Sequence, residues 1–242
     1  MKKILVLAGL VIAGQQCAFA ETGYYLVSPY PIEGQATIDF KYWNAKPTGQ
    51  PPRSEPELGV SYNVNSRWYT EVTAAWFKFS PGPARLVGYE WQNDFMLTQG
   101  QYPIDVAFHT NYFYNKNTAR GVNFEFGPVL QTEIGRTQFN LNLFFSRDYK
   151  VAAPTEMELA YQWQVKYRWK HELEFGIQGF GEVGEWNHWD PSNERSFRAG
   201  PAVFGAIGAG QGHEIKYEAA YLIGTNSAHT AKSVALRLQY VF

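Results

Sequence analysis

The last twelve residues constrain the fold more than any other stretch: Ala231-Lys-Ser-Val-Ala-Leu-Arg-Leu-Gln-Tyr-Val-Phe242. In an extended chain, Val234, Leu236, Leu238, Tyr240 and Phe242 fall on one face, and Ser233, Ala235, Arg237 and Gln239 on the other. A chain that stops inside such a strand leaves a row of unpaired backbone groups, an edge that soluble proteins avoid. Pairing the last strand with the first removes that edge and closes the sheet. A closed barrel is one of the two structures whose backbone is satisfied inside a bilayer.

The opposite end carries an export pattern. Lys2 and Lys3 precede an apolar stretch from Ile4 to Gly14, and Ala18-Phe19-Ala20 forms a small-residue cleavage site. Residues 1–20 are expected to be a cleaved signal peptide, so that the mature chain begins at Glu21. The apolar stretch is too short to span a bilayer as a helix. Gly-Gln-Gln before Cys17 does not make a lipobox, so this single cysteine leaves with the signal. The mature chain then has no disulfide, thiolate nucleophile or cysteine metal site, which suits an oxidising compartment.

Composition narrows the class further. Aromatic residues make up 17% of the chain. Without Lys2 and Lys3, 19 basic residues face 22 acidic ones, a net charge of -3, which excludes a nucleic-acid partner on electrostatic grounds. No apolar run after Glu21 reaches the length of a helical span. A membrane form therefore has to cross with strands.

Period-2 alternation runs from Gly34 to Phe242 and divides into twelve strands, near 34–44, 55–64, 67–79, 85–96, 103–115, 121–134, 137–148, 156–168, 171–183, 194–207, 213–224 and 231–242. The fold class is all-β: a transmembrane antiparallel up-and-down barrel of about 12 strands, forming one domain over 34–242. Residues 21–33 are left as a periplasmic or plug segment, which Tyr24, Tyr25 and Tyr30 make able to dock. Short connectors are expected at Asn65-Ser66, Thr98 to Tyr102, Gly135-Arg136, Trp169-Lys170 and Ala209 to Gly212, on the periplasmic side. Longer outer loops fall near 45–54, 80–84, 116–120, 149–155, 184–193 and 225–230. Pro128 and Pro201 each follow a glycine and predict local bulges, because proline removes a ladder donor.

Alternation also assigns the faces. Ile38, Phe40 and Tyr42, Leu58, Val60 and Tyr62, Phe139 to Phe145 and Met157 to Val165 at every second residue point outward. The inward set holds fourteen acidic residues against six Lys or Arg, Lys232 among them. Candidate lumen-lining residues are Asp39, Lys41, Glu71, Glu90, Asp105, His109, Glu125, Glu158, Lys166, Glu174, Arg198, Lys216, Glu218 and Arg237. Glu125, Glu158 and Glu174 are the expected mid-lumen carboxylates. Twelve tilted strands give a backbone diameter of roughly 24 Å, which side chains reduce to a narrow channel at most. An acidic path of this kind favours cations. The alternative is a barrel plugged by its own cross-lumen ion pairs.

Chemistry-bearing constellations are sparse. His109 is the only mid-strand histidine and points inward, and no histidine pairing supports a metal site, so neither metal nor cofactor is expected. Trp186, His188 and Trp189, in an aromatic outer loop, are candidates for ring stacking at the mouth or for interfacial anchoring. Lys78, Arg85, Lys116, Arg120, Arg147, Lys150 and Arg195 map near the outer rim, where they suit lipopolysaccharide phosphates or plain solvation.

Two resemblances follow from these residues. The ending through Leu238, Tyr240 and Phe242 resembles the C-terminal signature of bacterial outer-membrane barrels, which implies recognition by the barrel-assembly machinery and an outer-membrane location. Glu55 to Tyr69, and His213 to Ile223 leading into the last strand, resemble transporter-like outer-membrane barrels grouped with a phenol-degradation (MetA) pathway. That second likeness implies a channel and carries over no substrate residue. The expected function is a channel or uptake protein for a small solute, with outer-membrane lipids as surroundings. A non-conducting structural or lipid-interacting barrel is the alternative, and a lipid-modifying enzyme the third reading.

Overall fold

The computed structural model describes residues 24–226 and 229–242. The expected signal peptide lies outside these residues. Strands follow one another as β1 (Ala36–Pro47), β2 (Arg53–Asn65), β3 (Trp68–Phe79), β4 (Arg85–Met96), β5 (Asp105–Asn115), β6 (Val122–Ile134), β7 (Thr137–Tyr149), β8 (Glu158–Lys170), β9 (Leu173–Glu185), β10 (His188–Trp189), β11 (Ser196–Gly210), β12 (His213–Asn226) and β13 (His229–Val241). A 3-10 turn, Thr118–Arg120, sits between β5 and β6. β10 is a two-residue strand that pairs with the end of β9 and takes no part in the wall. The other twelve form a closed antiparallel barrel, each pairing with its chain neighbours and β13 returning to β1. Closure runs from Thr37 opposite Val241 to Pro47 opposite Ala231, and the Phe242 N–H donates to the Ala36 carbonyl at 2.9 Å. The terminal strand thus has the partner that its open edge demands.

Alternation holds along the wall. Ile38, Phe40, Leu58, Val60, Tyr62, Phe139 and Leu141 are exposed on the outer face, whereas Asp39, Lys41, Glu57, Ser61 and Asn140 between them are buried inside. Two expectations are corrected. Lys232 shares its parity with Val234 and is exposed outward, so the inward basic set loses it. Trp169-Lys170 is not a turn: a register shift between Tyr167 and Lys170 lets β8 run on, and the reversal falls at 171–172, which takes Glu172 out of the wall.

The proline bulges are absent as well. Around Pro128 the register against β7 is the same before and after the interruption (Phe126 with Phe145, Val129 with Asn142), and Ala199 with Ile223 and Ala202 with Ala220 repeat this around Pro201. The preceding glycine explains how an uninterrupted register accommodates a proline. A Cβ on Gly127 would lie 1.8 Å from the Leu143 carbonyl oxygen, so only glycine permits that backbone to approach beside the missing donor. Actual register shifts occur at Asn63/Asn65, Ala75/Trp76, Glu158/Ala160, Tyr167/Lys170 and Gly208/Gly210, mostly near strand ends.

Candidate functional site in the barrel lumen

The end where β1 begins and β13 stops is called the inner end. Residues 24–32 do not hang from it. They run inside the barrel, starting in its outer half. Tyr24 packs edge-on against Trp43 (5.1 Å between ring centroids) and Phe180 (5.7 Å), and Trp43 continues to Phe77 (6.1 Å). The guanidinium of Arg198 lies over the Tyr24 ring, 4.2 Å from its centroid. With Ala45, Ala202, Phe204 and Leu222 these side chains make an apolar cluster within the lumen.

The segment then descends. Val27 packs against Ala107, Val129 and Phe144. Its N–H donates to Gln162 Oε1 at 3.3 Å, and its carbonyl accepts from Asn142 Nδ2 at 3.0 Å. Tyr30 donates its hydroxyl to Asp105 at the inner end of β5. Pro29 and Pro31 carry no backbone N–H, so the segment needs no donor partner at these two positions. Gly34, at a φ of 78°, then reverses the chain into β1.

Charged groups gather on one side of the wall. Arg237 Nη2 meets Asp39 Oδ2 at 2.5 Å, and Gln239 donates to the same oxygen at 3.1 Å. Lys41 on β1 reaches Glu71 on β3 at 3.1 Å, crossing β2 at Gly59. A Cβ there would stand 2.4 Å from the Glu71 carboxylate, so the glycine leaves the space that the pair occupies. Further round, His109 Nδ1 lies 2.5 Å from Asp94 and its Nε2 3.4 Å from Glu125, while its ring stacks obliquely on Phe144 at 4.6 Å. His109 and both of its carboxylate partners are buried.

The opposite wall is built from amides, which the sequence reading did not single out. Gln138 donates to Gln131 (3.2 Å) and Asn140 (2.6 Å), and Asn140 to Gln131 (2.9 Å). Asn142 donates to Gln162 (3.1 Å), Gln164 to Gln178 (2.8 Å), and Gln178 to Glu218 (2.8 Å). Gln138-Phe-Asn-Leu-Asn142 and Gln162-Trp-Gln164 place these amides at alternate positions. That alternation at inward parity was the available signal.

The remaining expected lumen residues divide by depth. Lys166 pairs with Glu174 at 3.0 Å near the inner end, and Lys216 stands 3.8 Å from Glu214, which also meets His171 at 2.6 Å. Glu174 is therefore an inner-end residue. Glu158 opens β8 at the outer end, opposite Glu185, and is exposed. Neither is the mid-lumen carboxylate expected from alternation, because parity fixes the face and not the depth. Glu125 is the one of the three that is buried within the wall's interior.

A cavity of about 620 Å³ occupies the inner half of the lumen. It is lined by Tyr25 to Pro31 on one side and by wall residues from Thr37, Lys41 and Glu57 round to Lys216, Glu218 and Arg237. His171, Arg168 and Val241 mark its inner rim, and Tyr25, beside the apolar cluster, closes its outer end. Glu57, Glu90, Asp94, Glu174 and Glu218 line it against Lys41, Lys166, Arg168, Lys216 and Arg237, so the acidic excess is not in the immediate lining. It lies in the buried set: Asp39, Glu55, Glu57, Glu71, Asp94, Asp105 and Glu125 against Lys41 and Arg198, among the described residues.

At the outer mouth, Trp186 turns away from the lumen. Its ring stands 6.4 Å from Phe145 on the barrel's outer face, and its backbone N–H donates to the Met157 carbonyl at 3.0 Å. His188 pairs with Glu185 in β10, and Trp189 lies beneath Arg195 at 5.3 Å. At the inner end, Leu238, Tyr240 and Phe242 are ranked on the outer face of the closing strand. Tyr240 and Phe242 contact each other at 4.9 Å, and His213 meets each at 5.6 Å.

No family model matches the chain, and no curated protein matches it significantly. Solved structures do. The COG4313 outer membrane channel from Pseudomonas putida F1 is similar at a TM-score of 0.63 and 9% identity, over 89% of this chain and 98% of that one. The NanC porin gives 0.56 and 12%, over 83% and 98%, and the KdgM porin 0.51 and 10%, over 83% and 97%. At such identities the likeness establishes a fold, the closed antiparallel barrel of outer-membrane channels and porins.

Proposed function

We propose that the protein is an outer-membrane channel for a small polar solute, with residues 24–32 narrowing its lumen. The observation that carries this reading is the 620 Å³ cavity with a polar wall, inside a barrel whose outer face is apolar. A purely structural barrel has no use for such a cavity, since filling it with side chains gains packing. The similar folds named as channel and porins support the same direction, as does the likeness of Glu55–Tyr69 and His213–Ile223 to transporter-like barrels. The surroundings follow from the location: membrane lipids around the apolar face, lipopolysaccharide at the basic outer rim, and the assembly machinery at Leu238, Tyr240 and Phe242. The reading assigns the protein no chemical step.

Any conductance is expected to prefer cations, because among the described residues seven buried carboxylates outnumber two buried Lys or Arg in a low-dielectric wall. Planar-bilayer recording of the folded protein tests both parts. Discrete steps with a cation-selective reversal potential are the expected result. Absence of steps at any voltage, with the heat-modifiable folded form present, overturns the channel reading. Anion selectivity overturns the charge assignment alone.

A further inference from the structure

One side of the cavity holds more negative charge than its own cations compensate. Asp39, Glu57, Glu71 and Glu90 cluster where β1 to β4 face the lumen, with Lys41 and Arg237 as the neighbouring cations. Both cations are already committed: Lys41 to Glu71 at 3.1 Å and Arg237 to Asp39 at 2.5 Å. Glu57 and Glu90 line the cavity, and neither makes a hydrogen bond or an ion pair within 4 Å among the described residues. Of the charged groups around Glu57, Glu90 acts on it most strongly. A buried carboxylate, Glu57, and a half-buried one, Glu90, facing the same lumen across β3 without a cation of their own are costly to desolvate unless something positive sits between them.

A second observation comes from outside the wall. Tyr25 belongs to the lumenal segment and is 6% exposed, yet its hydroxyl has no hydrogen-bond partner. It lines the same cavity, and Glu57 is its strongest charged neighbour. Burial first and Glu57 second hold this phenol well above its usual range, so it stays neutral and keeps both a donor and an acceptor. A buried, unsatisfied hydroxyl beside an uncompensated carboxylate is a group waiting for a partner.

We propose that Glu57, Glu90 and the Tyr25 hydroxyl form a binding station for a primary ammonium group, which makes small organic amines the solute class that this lumen recognises. The three N–H donors of an ammonium match two carboxylates and one phenol oxygen. The alkyl part of the solute extends along Leu26 and Val27, which also line the cavity. The station sits at the cavity's closed outer end, where a solute pauses beneath the Tyr24 cluster. This deepens the channel reading and rests on it for transport, but binding is measured separately from conductance.

The test is saturation-transfer NMR on the full mature chain folded in detergent, with butylammonium chloride as the probe and butan-1-ol as its neutral counterpart. Wild type should transfer saturation to butylammonium and little to butanol. The double change Glu57→Gln with Glu90→Gln should weaken butylammonium binding by about tenfold or more, the scale of losing charge-assisted hydrogen bonds, and Tyr25→Phe by roughly threefold. Equal binding of butanol and butylammonium overturns the proposal and leaves only buried water at the site. Unchanged binding in the double variant overturns it as well. If that variant does not reach the heat-modifiable form, Tyr25→Phe decides, since Tyr25 is not part of the wall. A protein that binds butylammonium but shows no conductance steps refutes the channel and leaves the station standing. A conducting barrel without ammonium preference does the reverse.

Discussion

The two walls of the lumen are polar in different ways. From β1 to β5 and on β13 the inner face carries Asp39, Lys41, Glu57, Glu71, Glu90, Asp94, His109 and Arg237; from β6 to β9 it is dominated by Gln131, Gln138, Asn140, Asn142, Gln162, Gln164 and Gln178. The lumenal segment lays its backbone against the amides and not against the charges, through Val27. Neutral amides can donate to and accept from a peptide group at little desolvation cost, whereas a buried carboxylate offers only acceptors. The difference teaches that the amide wall receives the segment's backbone, while the charged wall, which meets it through the Tyr24 and Tyr30 side chains, sets the field that a solute meets.

Breaking the charged wall should have the largest effect. Arg237→Ala leaves the Asp39 carboxylate buried without the guanidinium whose Nε and Nη2 both donate to its Oδ2, at the seam where β13 meets β1. Orphaning a buried charge in this way costs about 3–5 kcal/mol. Urea titration of the folded barrel in lipid should show a midpoint far below wild type, and the double change with Asp39→Asn should recover part of it. A loss no larger than that of a surface substitution would show the pair to be solvated.

Loosening the amide wall comes next and should act on the segment and not on the barrel. Asn142→Ala together with Gln162→Ala removes both hydrogen bonds to Val27, each typically about 0.5–1.5 kcal/mol. Thiol labelling of Ser28→Cys from the periplasmic side should accelerate, and single-channel conductance should rise, with heat-modifiability unchanged. Equal labelling in both backgrounds would mean that the Tyr24 cluster alone retains the segment.

The fold was legible because period-2 alternation fixes the face of each residue, and closure follows from the edge that Phe242 would otherwise leave open. What parity does not carry is depth. Glu125, Glu158 and Glu174 share an inward parity, yet they stand in the interior, at the outer end and near the inner end, because strand stagger and the shift at Glu158/Ala160 set height along the axis. For the lumenal segment the tyrosines allowed docking as one of two readings, but its path and partners were not legible, for another reason. Tyr24-Tyr-Leu-Val-Ser-Pro-Tyr-Pro31 has no period, and its partners, from Trp43 to Asp105, are scattered over the chain. Pro128 and Pro201 make no bulge because the glycine before each lets the neighbouring backbone close in, to where a Cβ would stand 1.8 and 1.9 Å from the Leu143 and Tyr221 carbonyl oxygens.

A third prediction separates the walls by charge. Lowering salt from 1 M to 0.01 M lengthens the Debye screening distance from about 3 Å to about 30 Å. The reversal potential across a fixed salt ratio should therefore grow more cation-selective as salt falls. Glu71→Gln should reduce that growth, and the amide-wall change Gln164→Ala should not. Equal responses in the two variants would erase the distinction drawn between the walls.

The smallest effect should come from a single amide within its own cluster. Gln138 donates to Gln131 and Asn140 and accepts from Arg168, but Asn140 retains its own bond to Gln131 when Gln138 is gone, and Arg168 keeps Glu133 at 2.7 Å. Gln138→Ala therefore leaves no buried charge uncompensated, and its cost should be about 1 kcal/mol, the net worth of an ordinary hydrogen bond. Because the amide carries no net charge, the reversal potential should stay at its wild-type value at every salt concentration, even though Gln138 lines the same cavity as Glu57 and Lys166. Urea titration and bilayer recording of this one variant check both statements. A selectivity change at Gln138 would mean that the Arg168–Glu133 pair depends on the amide for its position, and the neutral wall would then shape the field as the charged wall does.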